Sequence, residues 1–347
     1  MSLLEVRDLK VSFDTSDGVV QAVGGMSFDV DRGRTLGIVG ESGSGKSVST
    51  QTLLGLTPGA HIEGQALFDG EDLLTMSDDR LRQIRGKDIA MIFQDPLSSL
   101  HPLYKVGRQI TELIRRHEPS TTRDQAGKRA IELLGLVGIP QPDRRVDDYP
   151  HQFSGGMRQR AMIAMALALN PRLLIADEPT TALDATVQAQ ILDLIRRLQR
   201  EFDTALIMIT HDLGVIADLA DDVLVMYGGK PVEHADRRTL YYRPHHPYTM
   251  GLLESVPGSS GAKTRLKPIA GQPPSLINLP TGCSFHPRCA YVLRRCPADI
   301  PLLEPVAGDP SHLSACWLPH DAVGFDPAAA AKRRAAAGPG DAGKVSG

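Results

Sequence analysis

Short apolar runs alternate with helical stretches through most of the first 235 residues. Residues 3–13 alternate between apolar and polar positions, as a half-buried strand does, and a second strand-like run covers residues 19–30. Buried strands are predicted at further apolar runs: 34–39, 89–93, 173–177, 205–209 and 223–226. Helices are predicted over 47–56 and 186–199. Strands that alternate with helices predict an α/β fold with a mostly parallel sheet and helices on both faces.

The pattern changes to helix between about residues 103 and 169. Ala126, Ala130, Leu133 or Leu134, and Val137 recur at helical spacing and predict one buried face. We therefore predict a helical subdomain inserted in the α/β core.

The chain becomes Pro-rich after about Asp236, and we expect mainly loops there. Residues 326–347 are mostly Ala, Gly, Lys and Arg, and no aromatic residue follows Phe325, which predicts a disordered tail. The predicted organisation is a core over 1–235, a C-terminal extension over 236–325 and a tail over 326–347.

Composition and charge narrow the class of protein. Hydrophobic residues make up 41% and charged residues 23% of the 347 residues, which is ordinary for a soluble globular protein. The net charge of −3 disfavours a nucleic-acid partner. The N-terminus carries acidic and basic residues where a signal peptide is apolar, and no apolar run approaches 18 residues. Any role at a membrane is therefore expected to act through a partner.

Residues 40–47, with the sequence GESGSGKS, fit the phosphate-loop pattern between a predicted strand and a predicted helix. Glycines let backbone N–H groups curl around phosphates, and the start of the following helix adds its positive end. Lys46 can reach the β and γ phosphates of a nucleotide, and the Ser47 hydroxyl can bind Mg²⁺.

Two carboxylates end the predicted strand 173–177. Asp177 at its carboxyl end can hold Mg²⁺, and Glu178 comes next, where a carboxylate can polarise an attacking water molecule. Together with the phosphate loop, these residues predict an ATPase.

A second glycine-containing helix start lies between the two nucleotide motifs. Ser154, Gly155 and Gly156 leave N–H groups bare at the start of a predicted helix, which makes a second anion site. The arrangement resembles the signature motif of the ATP-binding-cassette (ABC) ATPases, which meets the γ-phosphate bound to the opposite subunit. Met157 stands where the commonest form of that motif has Gln.

Other positions match further motifs of that family. Gln94 resembles the loop glutamine that senses Mg²⁺ and water, and His211 resembles the switch histidine that contacts the γ-phosphate. Residues 182–184 resemble the loop that communicates across the dimer, and Phe13 lies where an aromatic side chain stacks on adenine.

The resemblance implies a set of roles for these residues. Catalysis would involve Lys46, Gln94, Glu178 and His211, and Mg²⁺ would be held by Ser47, Gln94 and Asp177. ATP would contact the following residues: Phe13, Gly40, Ser42, Gly43, Ser44, Gly45, Lys46, Ser47, Gln94, Ser154, Gly155, Gly156, Asp177 and Asp184.

The last third of the chain resembles the D-type subunits of oligopeptide and dipeptide importers. The resemblance rests on these stretches: 93–102 (FQDPLSSLHP), 246–249 (HPYT), Leu252, Leu253, Pro257, 271–274 (GQPP) and 279–289 (LPTGCSFHPRC). It implies a related ATP-binding partner subunit, two membrane permease subunits, an extracytoplasmic substrate-binding protein acting indirectly, and a location at the cytoplasmic face of the membrane. The same class includes importers of nickel and glutathione, so the cargo stays open, as does an ATPase that does not serve transport.

All four cysteines lie within 34 residues, spaced Cys-x5-Cys-x6-Cys-x19-Cys. Disulfides are disfavoured in a reducing compartment. A zinc site usually has a close Cys-x2–4-Cys pair, which this spacing lacks, whereas a [4Fe–4S] cluster tolerates irregular spacing. The family resemblance favours a [4Fe–4S] cluster on Cys283, Cys289, Cys296 and Cys316, with zinc and unligated thiols as the alternatives.

Overall fold

The computed structural model describes residues 2–95, 99–181, 183–255, 269–306 and 309–319, and all elements named below lie within them. The strands are β1 (Leu4–Thr15), β2 (Gly18–Val30), β3 (Thr35–Val39), β4 (Ala60–Phe68), β5 (Glu71–Asp72), β6 (Ile89–Ile92), β7 (Leu173–Asp177), β8 (Ala205–Thr210), β9 (Asp222–Tyr227), β10 (Lys230–Asp236), β11 (Glu304–Val306) and β12 (Asp309–Ser314). The helices are α1 (Lys46–Leu53), α2 (Asp78–Ile84), α3 (Val106–His117), α4 (Arg123–Leu136), α5 (Pro142–Arg145), α6 (Gly155–Ala166), α7 (Ala185–Glu201), α8 (Leu213–Leu219), α9 (Arg237–Tyr242) and α10 (Pro247–Glu254), with short 3₁₀ turns at Pro150–Gln152 and His286–Arg288.

The larger sheet has the strand order β11-β12-β10-β9-β3-β8-β7-β6, and its strands from β9 to β6 are parallel. Every residue of β3, β7 and β8 is buried, which explains why these strands are continuous apolar runs. Their carboxyl ends lie at one edge, because Val39 pairs with Thr210 and Asp177 pairs with Ile209. The chain segments that follow these three strands therefore meet at the same edge.

A smaller antiparallel sheet with the order β2-β1-β4-β5 covers one face of the parallel strands. Leu4 and Val6 of β1 share one buried cluster with Ile38, Ile175 and Ile207 of the larger sheet. Helices cover the other face. The α/β fold with a largely parallel central sheet that the sequence predicts is confirmed.

Helices α3, α4 and α6 pack together in the region predicted to be helical. Ala126, Ala130, Leu133, Leu134 and Val137 are fully buried, as their spacing predicts. Helix α4 begins with a capping box in which Thr122 and Gln125 exchange side-chain and backbone hydrogen bonds. Within the described residues, no helix is both long and apolar enough to cross a membrane.

The prediction of mainly loops beyond Asp236 holds for residues 269–303, which contain one short 3₁₀ turn, but it misses four regular elements. Helices α9 and α10 follow directly, and β11 and β12 join the larger sheet beside β10. These elements are three to eight residues long, too short to show a hydrophobic period. Pro247 is the first residue of α10, where proline begins a helix, and His246 caps it.

Two smaller differences between the predicted and the observed elements each have a cause in nearby residues. Helix α1 ends at Leu53 and not at residue 56, because Gly55 turns into the left-handed region at φ +60°. Strand β4 shows no alternation in the sequence because five consecutive residues, 61–65, are exposed, and it is held by pairing with β1. The residues Pro96, Leu97, Ser98, Ala182 and Pro257 and the tail over 326–347 lie outside the described residues.

The buried carboxylate of Glu233 links the C-terminal extension to the larger sheet. It lies on β10 opposite Ser314 of β12. One of its carboxylate oxygens accepts the backbone N–H of His245 (2.6 Å) and lies 2.7 Å from Nε2 of His312, and the other accepts the N–H of His246 (3.0 Å). One carboxylate thus joins β10, the start of α10 and β12.

Glu233→Ala removes the acceptor that these buried groups share. We expect the free energy of unfolding to fall by about 3–5 kcal/mol, because the donors left behind stay buried without a partner. Urea unfolding followed by circular dichroism measures the change, with Glu63→Ala on the exposed face of β4 as the control. If both variants had the same unfolding midpoint, Glu233 would not be what holds the extension in place.

Candidate nucleotide site

The loop between β3 and α1 takes a shape that depends on glycine. Gly45 has φ +94°, and a Cβ atom there would collide with the backbone carbonyl of Ala22. At Gly40 a Cβ would collide with the carbonyl of Met226. At Gly43, by contrast, a Cβ would meet nothing within 4 Å, so the loop is open on that side. The loop is packed against the core at two points and leaves room for a ligand between them.

Lys46 is buried beneath this loop and donates from Nζ to the carbonyl oxygens of Gly40 (2.8 Å) and Glu41 (2.9 Å). Burial lowers the pKa of Lys46, and the carboxylates of Glu178, Asp177 and Glu41 oppose that effect. An ammonium group held by loop carbonyls can exchange them for phosphate oxygens.

The hydroxyl of Ser44 is buried and, among the described residues, has no hydrogen-bond partner. An unsatisfied buried donor inside a phosphate loop fits an anionic ligand at this position.

Ser47 and Asp177 form an oxygen pair beside the loop. The Ser47 hydroxyl at the start of α1 donates to Oδ1 of Asp177 at the end of β7, over 2.8 Å. Asp177 is buried, and burial raises the pKa of its carboxyl group, while the hydrogen bond from Ser47 opposes the rise. A hydroxyl next to a buried carboxylate is a donor set that suits Mg²⁺.

Glu178 connects the remaining predicted catalytic residues. Its φ of +44° turns the chain sharply after β7, and only 12% of its side chain is exposed. Oε2 accepts hydrogen bonds from Nε2 of Gln94 (3.2 Å) and from the hydroxyl of Thr181 (2.8 Å). Nδ1 of His211 lies 3.4 Å from the same oxygen. The structure therefore brings Glu178, Gln94 and His211 together, and their catalytic roles stay predictions.

Thr181 is a functional candidate that the sequence analysis did not identify. It follows Glu178 by three residues, and threonine at that spacing is common in turns, so the sequence carries no signal for it. Gln51 is a second such residue, because its side chain lowers the pKa of Asp177 against the effect of burial.

The second anion motif lies apart from the phosphate loop. The Ser154 hydroxyl accepts the N–H of Met157 (3.3 Å) and caps α6, and a Cβ at Gly155 would meet nothing within 4 Å. Exposed Asp184 caps α7 in the same way, by accepting the N–H groups of Thr186 and Val187. Each of these hydrogen bonds lies within the first turn of the helix that it caps.

Phe13 is half-buried on β1, opposite Val20 of β2, and packs on the cluster below the small sheet. Its predicted stacking on adenine stays a prediction.

The four cysteines of the extension line one cavity together with His246, Phe285 and Trp317. None of the four forms a disulfide. Backbone N–H groups point at their sulfur atoms: Tyr291 donates to Cys289 and Leu293 donates to Cys296, each over 3.3 Å. Backbone N–H groups of Phe285 and His286 lower the pKa of Cys283, and that of Leu318 lowers the pKa of Cys316, against the larger effect of burial.

Burial raises the pKa of Cys283 and raises those of Cys289 and Cys316 to about 12. These thiols would therefore ionise readily only with a positively charged partner. Within the described ranges, no three His, Cys, Asp or Glu side chains are arranged to hold a single metal ion.

A phosphate loop after β3, an acidic pair after β7 and a histidine after β8, all at the carboxyl edge of one parallel sheet, define a phosphate-loop nucleotide hydrolase. The helical segment that carries Ser154 between the loop and the acidic pair is the arrangement of an ATP-binding cassette.

Comparison with known proteins agrees with this class. The ABC transporter family model matches residues 23–181, and the model of the oligopeptide/dipeptide transporter C-terminal region matches residues 232–296. The oligopeptide transport ATP-binding protein OppD of Bacillus subtilis is 51% identical over 96% of this chain and 93% of its own length. The dipeptide transport ATP-binding protein DppD of the same species is 50% identical over 91% of this chain and 94% of its own.

A solved structure of the ATP-binding cassette MJ0796, a dimer in a post-hydrolysis state bound to ADP and Pi, aligns with a TM-score of 0.62 and 26% identity. It covers 68% of this chain and 99% of that one. The chain therefore belongs to the ABC transporter family, among the oligopeptide/dipeptide transport ATP-binding proteins. The ATPase class predicted from the sequence is confirmed.

Glu178→Gln keeps the size and the hydrogen bonds of the side chain and removes its basicity. We expect ATP to bind as before, while steady-state hydrolysis in the assembled complex falls by about 10²–10⁴-fold. Phosphate release and fluorescent-nucleotide binding measure the two properties, with Glu201→Gln at the exposed end of α7 as the matched control. Hydrolysis within about threefold of wild type would mean that another group activates the water molecule.

Proposed function

We propose that this chain hydrolyses ATP to energise the import of di- or oligopeptides through membrane permease subunits. The observation that carries the proposal is the convergence of Lys46, the Ser47–Asp177 pair and the Glu178 cluster at one sheet edge, in a chain that also carries the oligopeptide/dipeptide C-terminal region. The names of the OppD and DppD relatives support peptides as cargo. The same machinery working on nickel or glutathione-type cargo is the second candidate.

In this proposal the loop N–H groups and Lys46 hold the β and γ phosphates and stabilise charge on the phosphoryl group that is transferred. Ser47 and Asp177 would hold Mg²⁺, with Gln94 beside them. When bound, Mg²⁺ neutralises charge on the β and γ oxygens. The hydrogen bonds from Lys46 to two loop carbonyls hold the loop close to its nucleotide-bound conformation before nucleotide enters. When nucleotide binds, Lys46 would exchange these carbonyls for phosphate oxygens.

Glu178 would accept a proton from the attacking water molecule. Gln94 and Thr181 both donate to Oε2, which fixes the carboxylate and leaves Oε1 available to the water. His211 is 59% exposed and lies near both the carboxylate and the open side of the site, where a γ-phosphate can be contacted.

Exposed Gly155 and half-buried Gly156 at the start of α6 support a head-to-tail dimer, in which their N–H groups would meet the phosphate bound to a second ATP-binding subunit. A cassette dimer is described for MJ0796, which shares the fold. Asp184 lies on the exposed side of α7 and would face the same partner. We infer a related ATP-binding subunit as that partner, two permease subunits at the membrane, and a substrate-binding protein outside. The chain would be peripheral at the cytoplasmic face.

Uptake in proteoliposomes tests the proposed function directly. The wild-type chain, reconstituted with its partner ATPase, permease and binding protein, is expected to accumulate a labelled peptide only with ATP, and Glu178→Gln is expected to abolish uptake because closure without hydrolysis does not reset the transporter. Labelled Ni²⁺ and glutathione serve as the competing cargoes. Accumulation of either of these and not of peptide would transfer the proposal to the second candidate.

We also infer that Cys283, Cys289, Cys296 and Cys316 hold a [4Fe–4S] cluster. Four sulfurs around one cavity form a set of thiolate ligands, and the backbone N–H groups that donate to Cys289 and Cys296 would stabilise the ionised sulfur. The cysteine spacing, which lacks the close Cys-x2–4-Cys pair usual in zinc sites, favours a cluster over one zinc ion.

The anaerobically purified chain is therefore expected to be brown and to contain about four irons and four sulfides. Cys289→Ser should bleach it, because one of the ligands is lost. Metal analysis and the visible spectrum measure both properties, and Ser284→Ala, which changes a neighbouring residue and keeps all four cysteines, is the control. Colourless protein with one tightly held zinc ion would favour the zinc alternative.

A further inference from the structure

The C-terminal extension reaches the phosphate loop through Arg288. This residue ends the 3₁₀ turn between Cys283 and Cys289, two of the residues that line the cysteine cavity. Its guanidinium group makes a bidentate pair with Glu41, the second residue of the loop: Nη1 lies 2.6 Å from Oε2 and Nη2 lies 3.0 Å from Oε1. The Arg288 side chain is only 5% exposed, so the pair is shielded from water on the side of the extension.

Further contacts hold this guanidinium in one orientation. Nε donates to the carbonyl of Ala270 (2.9 Å), and Nη1 also reaches the Tyr227 hydroxyl at the end of β9 (3.3 Å). The ring of Phe285 packs edge-on against that of Tyr227. Arg288 therefore has a fixed geometry, set by the extension and by the end of β9, before it meets Glu41.

Glu41 is held by the extension a second time, through its backbone. Its N–H donates to the hydroxyl of buried Tyr248 in α10, over 2.8 Å. The carbonyl of Glu41 is one of the two that bind Nζ of Lys46. Two residues of the extension thus fix the side chain and the backbone of the residue on which the Lys46 ammonium rests.

The same extension also contacts the strand next to Phe13. The N–H of Gln21 on β2 donates to the carbonyl of Leu276 (3.1 Å), and a Cβ at Gly18 would lie 3.2 Å from Ile277. The contact with Glu41 therefore belongs to a docked segment and is not a single surface ion pair.

Phosphate chemistry alone does not require this ion pair. Glu41 occupies a variable position of the phosphate-loop pattern, where no particular side chain is needed. Burying a guanidinium and a carboxylate costs desolvation, so the pair is a poor way to gain stability alone. Its bidentate geometry holds the Glu41 side chain in one orientation. A fixed Glu41 keeps the phosphate loop in one shape, so that the loop N–H groups are preorganised for phosphate.

We propose that Arg288 is a positioning residue for the phosphate loop, and that through Glu41 it makes the folded cysteine segment a requirement for tight ATP binding. The inference rests on the proposed nucleotide site. Arg288 acts on the loop before nucleotide binds and touches no reacting atom. Its loss is therefore expected to weaken nucleotide binding and to leave the chemical step at saturating ATP nearly unchanged.

The test uses the full chain for binding of fluorescent ATP, and the assembled complex for kcat and KM. Arg288→Met should raise Kd and KM for ATP by about tenfold, which is typical of coupling between contacting residues. Turnover at saturating ATP should stay within about twofold of wild type. Arg288→Lys should recover part of the affinity, because it keeps the charge without the bidentate geometry.

Glu41→Gln provides a second route that leaves the cysteine segment intact. It should weaken binding less than Arg288→Met does. The double variant should bind ATP no more weakly than Arg288→Met, because each change breaks the same contact. Additive losses would overturn the inference.

Arg295→Met is the matched control. Arg295 lies in the same segment, stacks on Trp317 at 3.5 Å and pairs with Asp299, away from the phosphate loop. If Arg295→Met weakened ATP binding as much as Arg288→Met, the effect would be general loosening of the extension, and the inference would be wrong.

Lys46→Ala separates this inference from the proposed site. If the wild type and Lys46→Ala bound ATP equally, the nucleotide site itself would be misplaced. If Lys46→Ala lost affinity and a folded Arg288→Met did not, only the role of Arg288 would be overturned.

Discussion

Parallel pairing of β8 with both β3 and β7 is the constraint on which the nucleotide site depends. This register brings the ends of three strands to one edge and delivers the phosphate loop, the acidic pair and His211 there from segments far apart in the sequence. Parallel strands require long crossovers, and the helical region that carries Ser154 occupies the one that precedes β7. A shift of one residue in this pairing would turn Asp177 to the other face of the sheet and separate it from Ser47.

The same edge concentrates buried charge. Burial lowers the pKa of Lys46 and raises that of Asp177, so each group is costly to keep ionised by itself, and each is partly stabilised by the other. A site of this kind is poised for a ligand that brings both anionic phosphates and a divalent cation. Glu178 lies at the same edge, and its neighbours Gln94, Thr181 and His211 fix the position of its carboxylate. A fixed carboxylate can hold a water molecule in position for attack.

Sequence reasoning succeeds here wherever the chemistry is local. The phosphate loop is one continuous stretch, and the buried strands around it are apolar runs, so both could be predicted without the structure. The elements beyond Asp236 could not, because short strands such as β12 depend on pairing with distant β10 and with β11. The contact between Arg288 and Glu41 could not be predicted from the sequence either. Its two partners are 247 residues apart and occupy positions that the phosphate-loop pattern does not specify.

These long-range contacts change how the extension relates to the ATPase core. β12 and Glu233 make it part of the central sheet, and Arg288 and Tyr248 make it part of the wall behind the phosphate loop. The backbone that presents Arg288 is a single turn bounded by Cys283 and Cys289. A ligand that holds the sulfur atoms of Cys283 and Cys289 in fixed positions would therefore also hold the Arg288 guanidinium against Glu41. Because coupling between two sites is reciprocal, the proposed role of Arg288 implies that nucleotide which orders the loop would also favour the arrangement of the cysteine cavity that holds Arg288 in place.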